Sequence, residues 1–129
     1  MVIQIGRLRS GLVDEVEADV AAVVDAAGSV PVKVILETAL LAPDEIVAGC
    51  LAAERAGAAF VKTSTGFAGR GASDDDIRLM RETVGPRVQV KASGGVRDLD
   101  TLLRFRALGA TRIGTSATAA ILDELETRQ

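Results

Sequence analysis

Two lysines sit where apolar side chains are expected, Lys62 in FVKTSTG (60–66) and Lys91 in VQVKASGG (88–95). Each interrupts a short run of β-forming residues, and a lysine is almost never fully buried unless it is paired or has a task. Either one alone is adequately explained as an interior ion pair with Glu37. As a pair on neighbouring strands they raise the cost of charging each other, which lowers an amine pKa toward neutrality. A neutral amine attacks carbonyl carbon, and a nearby ammonium is one recognised way to obtain it. The chemistry indicated is Schiff-base formation.

Glycine-rich turns lie beside both lysines. Ser93-Gly94-Gly95 follows the run carrying Lys91, and Gly114-Thr115-Ser116 follows the next run and opens the last helix. Glycine lets backbone N–H groups approach an anion, and a helix N-terminus favours negative charge. Gly66, just after Lys62, and Arg97 extend the set. Ordinary βα-turn glycines account for either loop alone. Both together, next to an amine nucleophile, favour a phosphorylated carbonyl substrate.

The elements that must position these groups are legible in the hydrophobic pattern. Strand-like runs are VIQIG (2–6), VKVILET (32–38), AFVKTST (59–65), RVQVKAS (87–93) and TRIGT (111–115). Helical periods fill 13–27, 43–56, 73–84, 98–108 and 117–127. Pro43 with Asp44 and Glu45, Ser73 with three following aspartates, and Asp98 are helix-start signals; Gly28, Gly57 and Gly109 are stop signals. Strands alternating with helices predict parallel pairing and an α/β fold, one domain over 1–129. No Gly-rich dinucleotide fingerprint follows the first run.

Alternation along the runs puts Ile3, Ile5, Val32, Val34, Leu36, Val61, Val88 and Val90 on one face of the sheet. Gln4, Lys33, Glu37, Lys62, Gln89, Lys91 and Arg112 take the other. An open sheet with helices on both faces would bury that polar set at great cost. In a β/α barrel it is the interior, with Lys33 and Glu37 as supporting polar groups, and the strand C-termini form the active site.

Composition narrows the function classes further. The 129 residues are 48% hydrophobic, with three Phe and neither Trp nor Tyr, and carry a net charge of −3. That balance, without a basic cluster, argues against a nucleic-acid partner. Without histidine, His-based triads and most zinc sites drop out, and no metal is expected. The single cysteine, Cys50, lies in an apolar helical run and reads as core. A lone cysteine, no long apolar run and no basic leader predict a cytoplasmic protein without a membrane partner.

VKVILET, FVKTSTGF and VKASGGVRD, in this order and spacing, together with the opening MVIQIGRLRSG, closely resemble the class I deoxyribose-phosphate aldolases. The resemblance runs from Met1 to about Leu125. It implies a partial (β/α)8 TIM barrel, the five βα units here matching the fourth to eighth. It further implies that Lys62 forms the Schiff base with acetaldehyde, that Lys91 moves protons and lowers the pKa of Lys62, and that Gly94, Gly95, Gly114 and Ser116 bind the substrate phosphate. The reaction expected is reversible cleavage of 2-deoxy-D-ribose 5-phosphate to glyceraldehyde 3-phosphate and acetaldehyde, with no metal or organic cofactor. The family's catalytic aspartate would immediately precede Met1, so the 129-residue chain by itself is expected to be poorly active and to associate through open sheet edges, as a homo-oligomer or with the first three βα units. The alternatives are a non-catalytic barrel fragment that binds phosphate or another chain, and a barrel aldolase for a substrate of different length.

Overall fold

In a computed structural model that describes residues 1–128, four strands form one parallel sheet in the order β1-β2-β3-β4. The strands are β1 (Lys33–Ile35), β2 (Phe60–Lys62), β3 (Gln89–Ser93) and β4 (Ala110–Gly114). Helices α1 (Ile5–Arg9) and α2 (Val13–Ala27) precede the sheet, and α3 (Pro43–Arg55), α4 (Asp74–Thr83), α5 (Leu99–Ala107) and α6 (Thr118–Thr127) each follow a strand. Four consecutive parallel strands with crossover helices form a partial β/α barrel.

The start signals act as expected. Glu45 accepts a hydrogen bond from Ala42 N at 2.7 Å, the Ser73 hydroxyl accepts from Asp76 N at 3.2 Å, and Asp98 accepts from Thr101 N at 2.7 Å. Each satisfies a donor that the first helical turn leaves without a backbone partner. On the outer face Val34, Leu36, Val61, Val90 and Ala92 are fully buried against Ile46, Cys50, Ile77 and Met80 from the helices. Burying each large apolar side chain contributes about 1.5–3 kcal/mol, so this face anchors the sheet. Burial pushes the Cys50 thiol up to about 12, with Glu54 adding to the shift, as befits a core cysteine.

The first expected strand is the exception. Only Val2 bridges to Ile35, with Ile3 N donating to Ile35 O and Ile35 N donating to Met1 O, both at 2.9 Å. The chain then turns into α1, and Gln4 is exposed at its N-terminal edge, not part of a strand. Glycine inside a helix costs about 0.5–1 kcal/mol, which Gly6 incurs. Burial of Leu8 against the neighbouring helices α2 and α3 outweighs that cost. Tertiary packing here overrides a period-2 pattern, and the first βα unit is a bridge followed by two helices.

Candidate active site

The sheet register puts the amines side by side. One rung reads Ile35, Lys62, Lys91, Arg112 across β1 to β4. The rung below reads Lys33, Phe60, Gln89. Between Val90 and Lys91 the β3–β4 register shifts, because Thr111 is an extra residue opposite that step. The Thr111 hydroxyl donates to the Gln89 side chain at 3.0 Å, filling the gap. Without the bulge, alternation would pair Lys91 with Thr111. With it, Arg112 and then Gly114 turn to the interior face.

Phe60 sits under the amine rung between two cations. Lys33 Nζ lies 5.2 Å and Arg112 Cζ 4.8 Å from its ring centroid. Such contacts contribute about 0.5–1 kcal/mol each at partly exposed sites. Lys33, Lys62, Lys91 and Arg112 thus share one face, and none of them forms an ion pair with an acid among the described residues. The face is an anion-attracting surface. Burial holds Lys62 below the usual lysine range; the charge of Lys91 adds to this and Glu37 opposes it. The sequence pointed to charge as the tuning force, whereas desolvation is the larger cause. Lys33 is lowered in the same way, by burial first and then by Lys91, Arg112 and Lys62.

Glu37 is not the lysines' ion partner. It adopts left-handed backbone geometry (φ 60°) and its carboxylate accepts from the Thr65 N–H at 3.2 Å and from the Thr65 hydroxyl. That carboxylate therefore fixes the turn that follows Lys62. Thr63, fully buried, ties the same segment to β3: its hydroxyl donates to Ser93 O at 3.2 Å and accepts from Ser93 N at 3.1 Å.

Lys62, Lys91, Gly66, Gly94, Gly95, Arg97, Gly114 and Ser116 line one cleft of about 520 Å³ at the C-terminal ends of the strands. Every residue expected to react or to hold phosphate is in it; Lys33 and Glu37 lie outside its lining. Ser93 and Thr115, from the two glycine-rich turns, are in the wall as well, and Thr65, Phe67 and Val96 complete it and were not anticipated. Phe67 is 96% exposed, and only its place one residue beyond Gly66 pointed to it. The loops beyond β3 and β4 are joined, since the Thr115 hydroxyl donates to Val96 O at 2.6 Å and accepts from Ala117 N at 2.9 Å. The N–H groups of Gly95 and Val96 donate to no acceptor among the described residues. Helix α6 has neither a side-chain cap nor an acid in its first turn. At α5, by contrast, Glu124 and Asp98 take the Leu99 and Thr101 N–H groups. The Gly94–Val96 loop and the start of α6 thus leave backbone N–H groups uncapped, the kind of donors that suit an anion.

No group of three or more His, Cys, Asp or Glu among the described residues is placed to hold a metal ion. No described helix is long and apolar enough to cross a membrane.

A parallel β/α sheet with paired amines at its C-terminal edge and glycine-rich loops beside them is the architecture of part of a β/α barrel. Residues 1–123 match the family model for DeoC/LacD family aldolases, and the chain belongs to that family. A deoxyribose-phosphate aldolase from Staphylococcus epidermidis is 55% identical over 126 residues, 98% of this chain and 57% of its own length. Among solved structures, the aldolase QR15 superposes with a TM-score of 0.92 at 38% identity, over 98% of this chain and 57% of that one. A deoxyribose phosphate aldolase from Aeropyrum pernix, a tetramer, does so at 0.82 and 32%, over 91% and 51%. This chain therefore spans little more than half the length of the relatives it matches.

Proposed function

We propose that this chain carries the amine nucleophile, a proton carrier and the phosphate loops of a deoxyribose-phosphate aldolase. The reaction is reversible cleavage of 2-deoxy-D-ribose 5-phosphate to glyceraldehyde 3-phosphate and acetaldehyde. The observation that carries the reading is the Lys62–Lys91 rung opening into a cleft walled by Gly94, Gly95, Gly114 and Ser116.

Neutral Lys62 attacks the aldehyde carbon of the open-chain sugar, and loss of water from the carbinolamine gives an iminium. Removal of the proton from the C3 hydroxyl breaks the C2–C3 bond, glyceraldehyde 3-phosphate leaves, and the electron pair moves into an enamine with the iminium as sink. Protonation at C2 and hydrolysis release acetaldehyde and the free amine. Lys91, in register with Lys62, moves protons with water, a role typically worth about 10² to 10⁴ in rate. The glycine loops, Arg97 and Ser116 hold the phosphate. A β/α barrel closes with eight strands, so a complete site draws on strands beyond the four described. The reaction belongs to carbohydrate degradation, and a single buried cysteine suits the reducing cytoplasm.

Acetaldehyde followed by borohydride tests this directly. A two-carbon adduct on Lys62, located by peptide mass mapping and absent from Lys62→Ala, is expected. An adduct confined to another lysine in folded protein refutes the assignment.

A further inference from the structure

The loop leaving Lys62 crosses the loop leaving Lys91 at a contact between two glycines. A Cβ on Gly71 would lie 2.2 Å from both the carbonyl carbon and oxygen of Gly94 and 2.6 Å from its Cα. A Cβ on Gly94 would lie 2.7 Å from Gly71 Cα. All these neighbours are backbone atoms, so no rotamer change relieves them. Beside the contact, Ala72 N donates to Ser93 O at 3.1 Å and to Gly94 O at 3.2 Å. The anion loop is thus pressed against, and bonded to, the strap that descends from Lys62.

The strap is itself held. Asp76 is only 6% exposed, and its carboxylate accepts from the Arg70 guanidinium through both oxygens and from the Thr38 hydroxyl at 2.9 Å. Arg70 also donates to Gly71 O at 3.2 Å and to Thr38 O at 3.4 Å. Thr38 adjoins Glu37, which grips Thr65 at the other end of the strap. Residues 65–73 are therefore pinned at both ends to the C-terminal end of β1. None of Arg70, Gly71, Thr38 or Asp76 lines the cleft.

We propose that Gly71, seated by the Arg70–Asp76–Thr38 cluster, is a positioning residue that sets the Gly94–Gly95 loop at a fixed distance from Lys62 and thereby the preference for phosphorylated over unphosphorylated carbonyl substrates. This rests on the reading of that loop as a phosphate loop. Binding amine and phosphate loop to one rigid strap makes their separation a ruler for the substrate. A methyl group at residue 71 moves the loop and leaves the amine, on a different strand end, in place.

The test uses the full-length protein, with 2-deoxyribose 5-phosphate, 2-deoxyribose, inorganic phosphate as inhibitor, and acetaldehyde trapping at Lys62. In Gly71→Ala the KM for the phosphorylated sugar and the inhibition constant of phosphate rise about tenfold or more, the effect of misplacing one charge-assisted hydrogen bond. Turnover of the unphosphorylated sugar and trapping at Lys62 stay near wild type. Arg70→Met loosens the strap without a clash at a half-exposed site and shifts phosphate inhibition the same way by a smaller factor, which provides the readout should Gly71→Ala fail to fold. Unchanged phosphate inhibition in folded Gly71→Ala, or in Arg70→Met where the first variant does not fold, overturns the inference. So does a parallel loss of trapping at Lys62. A wild-type protein that traps acetaldehyde yet shows no phosphate inhibition overturns the phosphate-loop reading itself, and this inference with it.

Discussion

Replacing Gly114 by alanine tests how closely the amine pair is packed. Gly114 faces Ser93 across the β3–β4 ladder. An added Cβ would lie 2.9 Å from Ser93 Cβ, 3.2 Å from Lys91 Cε and 3.6 Å from Lys91 Nζ. Carbon atoms settle at about 3.5–4.0 Å, so the Ser93 contact must open by roughly 0.6 Å or more and the lysine stem by a few tenths. Ser93 cannot swing aside freely, because its hydroxyl donates to Ser64 O at 2.7 Å and its N–H to Thr63 at 3.1 Å. Gly114 is outside the left-handed region, so backbone strain adds nothing. Overpacking of this kind costs about 1–3 kcal/mol, which chemical denaturation reads as a lower midpoint at constant slope. The rate is more sensitive: a displacement of about 1 Å at a reacting group can cost 10²-fold, and the smaller shift of Lys91 predicts a loss of about tenfold in kcat for sugar-phosphate cleavage. Because Gly114 also lines the cleft beside the Gly94–Gly95 loop, the decisive measurement is a cycle with Lys91→Ala. If the effect runs through Lys91, Gly114→Ala changes kcat little once Lys91 is gone. A kcat within twofold of wild type, or an equal loss in the Lys91→Ala background, refutes the packing argument.

Lys91→Met removes the charge that adds to burial in holding Lys62 down. Taking away a positive neighbour favours the ammonium form, so the pH midpoint for acetaldehyde trapping at Lys62 moves upward and trapping at neutral pH slows. Burial, the larger cause, remains, so the midpoint stays below the ordinary lysine value of 10.5; an unchanged profile contradicts the coupling. Burial pushes the Asp76 carboxyl up, but hydrogen bonds from Arg70, Ser73 and Thr38 outweigh it and hold the group below its ordinary 3.8. A depressed carboxylate stabilises the fold above its unfolded pKa and loses that contribution as pH falls through the lower folded value. Asp76→Asn is therefore expected to cost about 1.5–3 kcal/mol at pH 7 and to flatten the acid limb of a melting-temperature profile between pH 2 and 5. A limb as steep as wild type would place the acid sensitivity elsewhere.

Local pattern alone determined much of this protein. Ser73 and Asp98 mark helix starts through bonds that reach only three residues, and alternation through FVK and QVK assigns Lys62 and Lys91 to one face whatever surrounds them. That Lys62, Lys91 and the two glycine-rich turns meet in one cleft was legible for the same reason, since each lies within a few positions of a strand end, while Thr65, Phe67 and Val96 carried no such signal. The tertiary structure decided what depends on a second segment. VIQIG alternates like a strand, but Leu8 gains more from α2 and α3 than a longer ladder beside β1 would supply, so the segment winds into α1. Glu37 shares a face with the lysines, yet the left-handed turn at its own Cα sends its carboxylate to Thr65. Arg112 reaches the amine rung only because Thr111 is bulged against Gln89. The Gly71–Gly94 contact joins loops far apart in the chain, and no pattern along one segment encodes a distance between two.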